Sequence, residues 1–181
     1  MLRTSLIKTT RCLLLMLAFS LTACGVMQEV ADGTKSVYTS MFNKKIKVLH
    51  LDFTAREALN TDARESYSLS EPVVVRVYQL KDRKAFDKAV YQQLLKDGET
   101  FLKDEQLASR DVVVKPGGDT NLDMPMEEDT QYVAVVGLFR HPDMDNNTWK
   151  QVIKRNDLDP DKARILEAGN NHLSLQPLKD D

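Results

Sequence analysis

The chain is poor in the residues that build catalytic and metal centres. Its 181 residues include two cysteines, three histidines and one tryptophan. His50, His141 and His172 are scattered, with no second histidine or cysteine at the close spacing of a zinc site, so each reads as a surface or strand residue. No serine stands in a Gly-x-Ser-x-Gly turn. There is no glycine-rich phosphate loop either, because Pro116-Gly117-Gly118 is followed by neither Lys-Ser nor Lys-Thr and opens no helix. The acidic run Glu127-Glu128-Asp129 lacks the alternating oxygen ligands and the glycine of a calcium loop and reads as a solvated turn. A formal net charge of −2 with dispersed Lys and Arg gives no basic stripe, which argues against nucleic acid as a partner. Nothing in this inventory supports an enzyme or a cofactor.

What the chain does have begins at its amino terminus. Arg3, Lys8 and Arg11 form a basic region, residues 12–21 an apolar core and Thr22-Ala23 a small-residue cleavage site, so residues 1–23 read as a signal peptide. The apolar core is too short for a mature spanning helix, which needs about 20 apolar residues. Leu21-Thr22-Ala23-Cys24 is a bacterial lipobox, which assigns lipidation to Cys24: a diacylglycerol on the thiol and an acyl chain on the new amine. The other reading is an ordinary secretory signal that happens to carry a cysteine. Against it, Cys12 leaves with the signal, and a lone free thiol in an oxidising periplasm is a liability that acylation removes. Residue 25 is Gly rather than the Asp that retains many lipoproteins on the inner membrane, which points to an outer-membrane address with the body in the periplasm.

Cleavage removes three basic and no acidic residues, taking the formal charge from −2 to −5 and leaving residues 24–181, enough for one domain with a real core. Residues 24–45 mix small, polar and charged types and read as a lipidated tether with a reach of roughly 25 Å as a coil. Val37 with Met41 and Tyr38 with Phe42 give the alternative of a short helix there.

From Ile46 to Asp181 the periodicity is mostly two, as in strands. The spacing predicts strands over residues 46–53, 73–80, 111–115, 121–124, 131–140, 148–153, 163–168 and 171–176, with turns at Pro116-Gly117-Gly118 and Gly169-Asn170. The run 131–140 is rich in Val and long enough to lie buried in the middle of a sheet. Phe86, Ala89, Val90, Leu94, Phe101 and Leu102 fall at helical spacing, so residues 82–107 are read as two short helices. About eight short strands with one helical insertion predict an all-β antiparallel sandwich. Trp149 reads as a packing residue, with an exposed binding anchor as the alternative. The connection from Thr54 to Pro72 stands out, since loops beyond about 12 to 15 residues are usually functional or disordered. Its polar core carries Arg64 and Tyr67, residue types enriched at interaction hot spots.

The segments VVVRVYQLKDRKAF (from Val73), ASRDVVVKPG (from Ala108) and YVAVVGLFR (from Tyr132), followed by Trp149-Lys150, resemble the outer-membrane lipoprotein of the type VI secretion system, the TssJ (SciN-like) family. The resemblance covers about residues 46–176 plus the lipobox, with the segments in the family's order. It implies a transthyretin-like β-sandwich with a small helical insertion, and a non-enzymatic role: holding the periplasmic carboxy-terminal part of the inner-membrane protein TssM within the trans-envelope complex and its other membrane components. It also implies that the loop between the first two strands makes an important part of that contact. Here the loop maps onto Asn60, Thr61, Asp62, Ala63, Arg64, Glu65, Ser66, Tyr67 and Ser68, with the turns at residues 116–119 and 141–147 expected to assist. The family's common Trp-Arg pair is Trp149-Lys150 in this chain. The alternative function is a periplasmic β-sandwich lipoprotein acting as an inhibitor or small-ligand carrier, which predicts a deep apolar cavity between the sheets.

Overall fold

The computed structural model describes residues 45–62, 64 and 67–178. The signal peptide, Cys24 and the tether, together with Ala63, Glu65 and Ser66, lie outside the described residues. The body contains eight strands in two four-stranded sheets: β1 (Val48–Leu59), β2 (Val73–Leu80), β3 (Gln106–Val114), β4 (Asp119–Pro125), β5 (Tyr132–Gly137), β6 (Lys150–Lys154), β7 (Arg164–Asn170) and β8 (His172–Leu175). One sheet has the order β4-β1-β7-β8 and the other β3-β2-β5-β6. The sandwich expected from the period-two pattern is therefore present. All pairs are antiparallel but one: β1 and β7 run parallel, with Leu51 beside Arg164 and Phe53 beside Leu166.

Alternation along each strand builds the core. Leu49, Leu51 and Phe53 from β1, Val75 and Val77 from β2, Val133 and Val135 from β5, and Leu166 from β7 are all buried, 1% exposed or less. In β5 the whole run Val133 to Gly137 is buried, because both faces of its sheet are covered. Between β2 and β3 the chain forms α1 (Lys84–Lys88) and α2 (Tyr91–Leu102), which lie within the expected helical span and pack on this sheet. Val135 pairs with Val77 at the centre of the sheet. Val135→Ala should cost about 1 to 3 kcal/mol, like other buried large-to-small changes; a urea midpoint unchanged from wild type would remove it from the core.

Two local devices seat the helices. Helix α2 is kinked at Asp97, where φ is −152° and ψ is 45°. Arg76, held to Asp111 through two bonds of 2.7 and 2.8 Å, also donates to the Leu94 carbonyl at 3.4 Å, one turn before the kink. Gly98 then passes so close to the buried Tyr78 that an added Cβ would sit 2.2 Å from the phenol oxygen. Lys150 lies across α1, its Nζ donating to the carbonyls of Phe86, Asp87 and Ala89 at 3.2–3.3 Å, where the dipole of a helix carboxy terminus favours a cation. The same ammonium stands 5.0 Å from the Trp149 ring and 5.2 Å from that of Phe86. Trp149 is fully buried and meets Tyr91 edge to face at 5.1 Å, so it is a packing residue.

The largest difference from the sequence expectation is β1, which continues to Leu59 instead of ending near Phe53. The stretch Ala55-Arg56-Glu57-Ala58 lacks alternation because the strand bulges there, with a register shift against β7 between Ala55 and Leu59. The β3–β4 turn docks on the bulge: Ala55 N donates to the Gly118 carbonyl and Gly117 N to that of Arg56. Gly117 has φ of 64°, and its missing Cβ leaves room for the Glu57 carboxylate. The long connection thus shrinks to residues 60–72. The β7–β8 hairpin turns one residue later than expected, at Asn170-Asn171, with Asn170 in the left-handed region at φ 48°.

Candidate functional site

The connection between β1 and β2 is braced at its base. Asn60 follows the strand in the left-handed region, φ 51°, a conformation asparagine tolerates better than most side chains. It is 4% exposed, and its amide donates to the Pro72 carbonyl at 3.1 Å while its side-chain oxygen accepts from Arg140 N at 2.8 Å. The Arg140 guanidinium donates to the Asn60 carbonyl at 3.0 and 3.3 Å and pairs with Glu71 at 3.1 Å. Asn60 N donates to the carbonyl of Asn170, Asn171 donates to that of Thr61 at 2.8 Å, and Glu71 N returns to Leu59. The loop therefore rests on the connection after β5 and on the β7–β8 hairpin.

Further out, Asp62 organises the tip. Its carboxylate accepts from Arg64 Nε at 2.9 Å, Arg64 Nη2 at 2.7 Å and the Arg64 backbone N–H at 3.0 Å. His141 Nε2 lies 3.0 Å from the same carboxylate and 3.0 Å from the Arg64 guanidinium. Asp62 N donates to the Ser68 hydroxyl, closing the loop on itself. The side-chain hydrogen bonds from Arg64, then its backbone N–H, hold the Asp62 carboxyl well below the usual carboxylate range. A depressed folded value means that this hold is fully present above the ordinary carboxylate value and is lost only as pH falls through the lowered one.

The braced frame presents an apolar tip. Tyr67 is 93% exposed and Leu69 78%, the two most exposed large apolar side chains among the described residues. Met144, half exposed, belongs to the connection that carries His141. Asn60 and Asp62 thus face inward and hold the loop, Thr61 accepts from the β7–β8 hairpin and Ser68 from within the loop, and Arg64 and Tyr67 face outward. The turn at residues 116–119 and the connection 141–147 both lie at this end of the sandwich, one on the β1 bulge and the other on the loop. Sequence reasoning missed Leu69, Arg140 and the Asp62–Arg64–His141 cluster. Only Leu69 carried a signal, as an apolar residue between two serines in a polar loop.

The family model T6SS-SciN, the type VI secretion lipoprotein family (VasD, EvfM, TssJ), matches residues 47–175. The chain belongs to this family. Two solved structures are more than 40% identical to it over the matched part. One is described as the T6SS protein TssM C-terminal domain (869–1107) from EAEC, with 41% identity, a TM-score of 0.65 and coverage of 74% of this chain and 100% of the matched one. The other, described as a type VI membrane complex, has 42% identity, a TM-score of 0.68 and the same coverage. Serratia marcescens Lip, described as a membrane-bound component of the type VI secretion system, shares the fold at 22% identity and a TM-score of 0.62, over 72% of this chain and 98% of that one. A comparison with curated proteins found no match. The TssJ family is a lipoprotein component of the secretion system and not a known enzyme family. In this TssJ-family chain no helix among the described residues is long and apolar enough to cross a membrane, and no group of three or more His, Cys, Asp or Glu there could hold a metal ion.

Proposed function

We propose that this protein is anchored in the outer membrane by acyl chains on Cys24, and that from the periplasm it docks the carboxy-terminal part of a TssM-like inner-membrane protein through the loop of residues 60–69. It thereby anchors the type VI trans-envelope complex and its other membrane components. The observation that carries the reading is the apolar tip, Tyr67 and Leu69, set on a hydrogen-bonded frame. Two large side chains exposed in this way, one of them a tyrosine of the type enriched at hot spots, offer apolar surface to a partner at little ordering cost. The placement of the loop supports the same reading. Strand β1 has 12 residues, so about 40 Å separates its start, where the tether enters, from the loop at its end. A loop at the end of the sandwich remote from residue 48 is left open to a partner. Three quarters of this 181-residue chain covers all of the matched chain in the structure described by TssM residues 869–1107. That chain is too short to be the whole segment, which favours a family lipoprotein solved together with it.

The carrier alternative finds less support, since the space between the sheets is filled by Leu49, Leu51, Phe53, Val77, Val135 and Leu166. Capture of the TssM-like protein from solubilised envelopes tests the proposal. Tyr67→Ala and Arg64→Ala should each weaken binding by at least about 1 kcal/mol, roughly a fivefold loss of affinity or more. Capture at wild-type strength by both variants would place the contact elsewhere.

A further inference from the structure

Strand β1 is the longest strand among the described residues, and it joins residue 45 to the loop of residues 60–69 with no other element between. It lies inside its sheet, antiparallel to β4 from Val48 to Thr54 and parallel to β7 from Leu51 to Leu59. Its 12 residues span about 40 Å, within a few ångström of the longest that a stretched chain of that length can reach. A strand drawn out this far has almost no length left to give.

The places where it could give are pinned. At its start the Lys47 carbonyl accepts from Met126 N at 2.9 Å and the Ile46 carbonyl from Arg155 Nη2 at 3.4 Å. The same guanidinium holds the turn before β5 through the carbonyls of Glu127, Glu128 and Thr130 at 2.9–3.1 Å. The bulge between Ala55 and Leu59 is the irregular stretch of the strand. There the β3–β4 turn bonds Ala55 and Arg56, and the Arg56 side chain pairs with Glu167 of β7 at 2.6 Å. Past its end, Asn60 is fixed to Asn170, Pro72 and Arg140.

We infer that β1 is a tension rod: in the assembled complex the pull between the anchor and the partner runs along this one strand and bypasses the rest of the sandwich. The inference rests on the anchoring and docking reading proposed above. By chain connectivity alone, a pull on Cys24 reaches the sandwich at residue 45, and a partner holding residues 60–69 takes it up just past Leu59. A force drives unfolding only through the lengthening it gains on the way, so a strand that cannot lengthen gives it no purchase. The other strands act as a sleeve that keeps β1 extended and the loop braced. The carboxy-terminal side offers no such path. Strand β8 runs antiparallel to β7, with Leu175 beside Leu166, so a pull on residue 178 peels its four residues from β7 pair by pair.

Optical tweezers on the whole mature chain, residues 24–181 with Cys24→Ser, test this, with a dye pair on the exposed Lys103 and Asp161 reporting whether the sandwich is folded. Force through handles at residues 45 and 178 should open the sandwich and lengthen the chain by several hundred ångström, at roughly 3.5 Å per residue. Through handles at residues 45 and 67 the folded signal should persist to at least about three times that opening force. Loss of the signal at an equal or lower force would overturn the inference. The complex is tested with the periplasmic part of the TssM-like partner immobilised. Held at the opening force through residue 45, it should keep the folded signal for as long as the partner stays bound, whereas through residue 178 it should lose it. Loss of the signal through residue 45 while the partner is still bound means that the pull crosses the sheets, which removes the tension path and leaves docking intact. Capture of Tyr67→Ala and Arg64→Ala at wild-type strength removes the docking reading, and this inference with it.

Discussion

Exchanging residues 64–69 for a short Gly-Ser turn, with Asn60 and Asp62 left in place, should lower affinity for the periplasmic part of the TssM-like partner at least 100-fold while lowering the unfolding midpoint only slightly. The two expectations have separate physical origins. Affinity falls because the exchange removes Arg64, Tyr67 and Leu69 together, and 100-fold corresponds to about 2.7 kcal/mol, within what two or three hot-spot side chains supply. The midpoint moves little because Tyr67 and Leu69 bury little of their surface in the free protein, loop-closure entropy changes slowly with length, and Asp62, which loses the exposed Arg64 and the Ser68 hydroxyl, keeps His141 at 3.0 Å. A cut that also took Asn60 would mix these effects. It would strip the backbone N–H of Arg140 of its acceptor and open the junction with the β7–β8 hairpin. Titration calorimetry with the lipid-free body reads the outcome, with circular dichroism as the control on folding. A folded exchange variant that binds with wild-type affinity would mean that the partner is held by another surface.

Much of the fold was legible because it is written in side-chain period. The Val-rich run of β5, the alternation of Leu49, Leu51 and Phe53, and the helical spacing from Phe86 to Leu102 each reflect one face meeting a core. The parallel pairing of β1 with β7 was not, since partners more than a hundred residues apart leave no local trace. The extension of β1 to Leu59 was hidden for a related reason. A bulge breaks alternation, and the hydrogen bonds that keep Ala55 and Arg56 in the strand come from a turn more than sixty residues later. At the loop, composition singled out a segment but could not sort its residues. Asn60 and Asp62 look as solvent-loving as Arg64, yet the positive φ of one and the three Arg64 bonds to the other make them the frame. His141 and Arg140 join that frame from about 80 residues away, across a distance that no motif spans.

Replacing the lipobox cysteine separates anchoring from docking. In Cys24→Ser the thiol that would carry the diacylglycerol is gone, so the protein should appear either as unprocessed precursor or as a body released into the soluble periplasmic fraction. The loss should be near complete, because a single acyl chain binds membranes only marginally and two membrane signals are needed for stable attachment, each buried CH₂ contributing about 0.8 kcal/mol. No described helix offers a substitute anchor. Affinity for the TssM-like partner should nevertheless match wild type in the released body, since the loop proposed to dock it lies at the far end of β1 and its frame involves no described residue before Leu59. Secretion should fail with binding intact, as expected when the complex no longer has a lipid-buried point against which to carry force across the envelope. Fractionation and calorimetry on the same variant read the two halves independently. The decisive control is labelling of the wild-type protein with a clickable palmitate analogue: if no label enters it, the cysteine is not acylated and the anchor must be sought elsewhere.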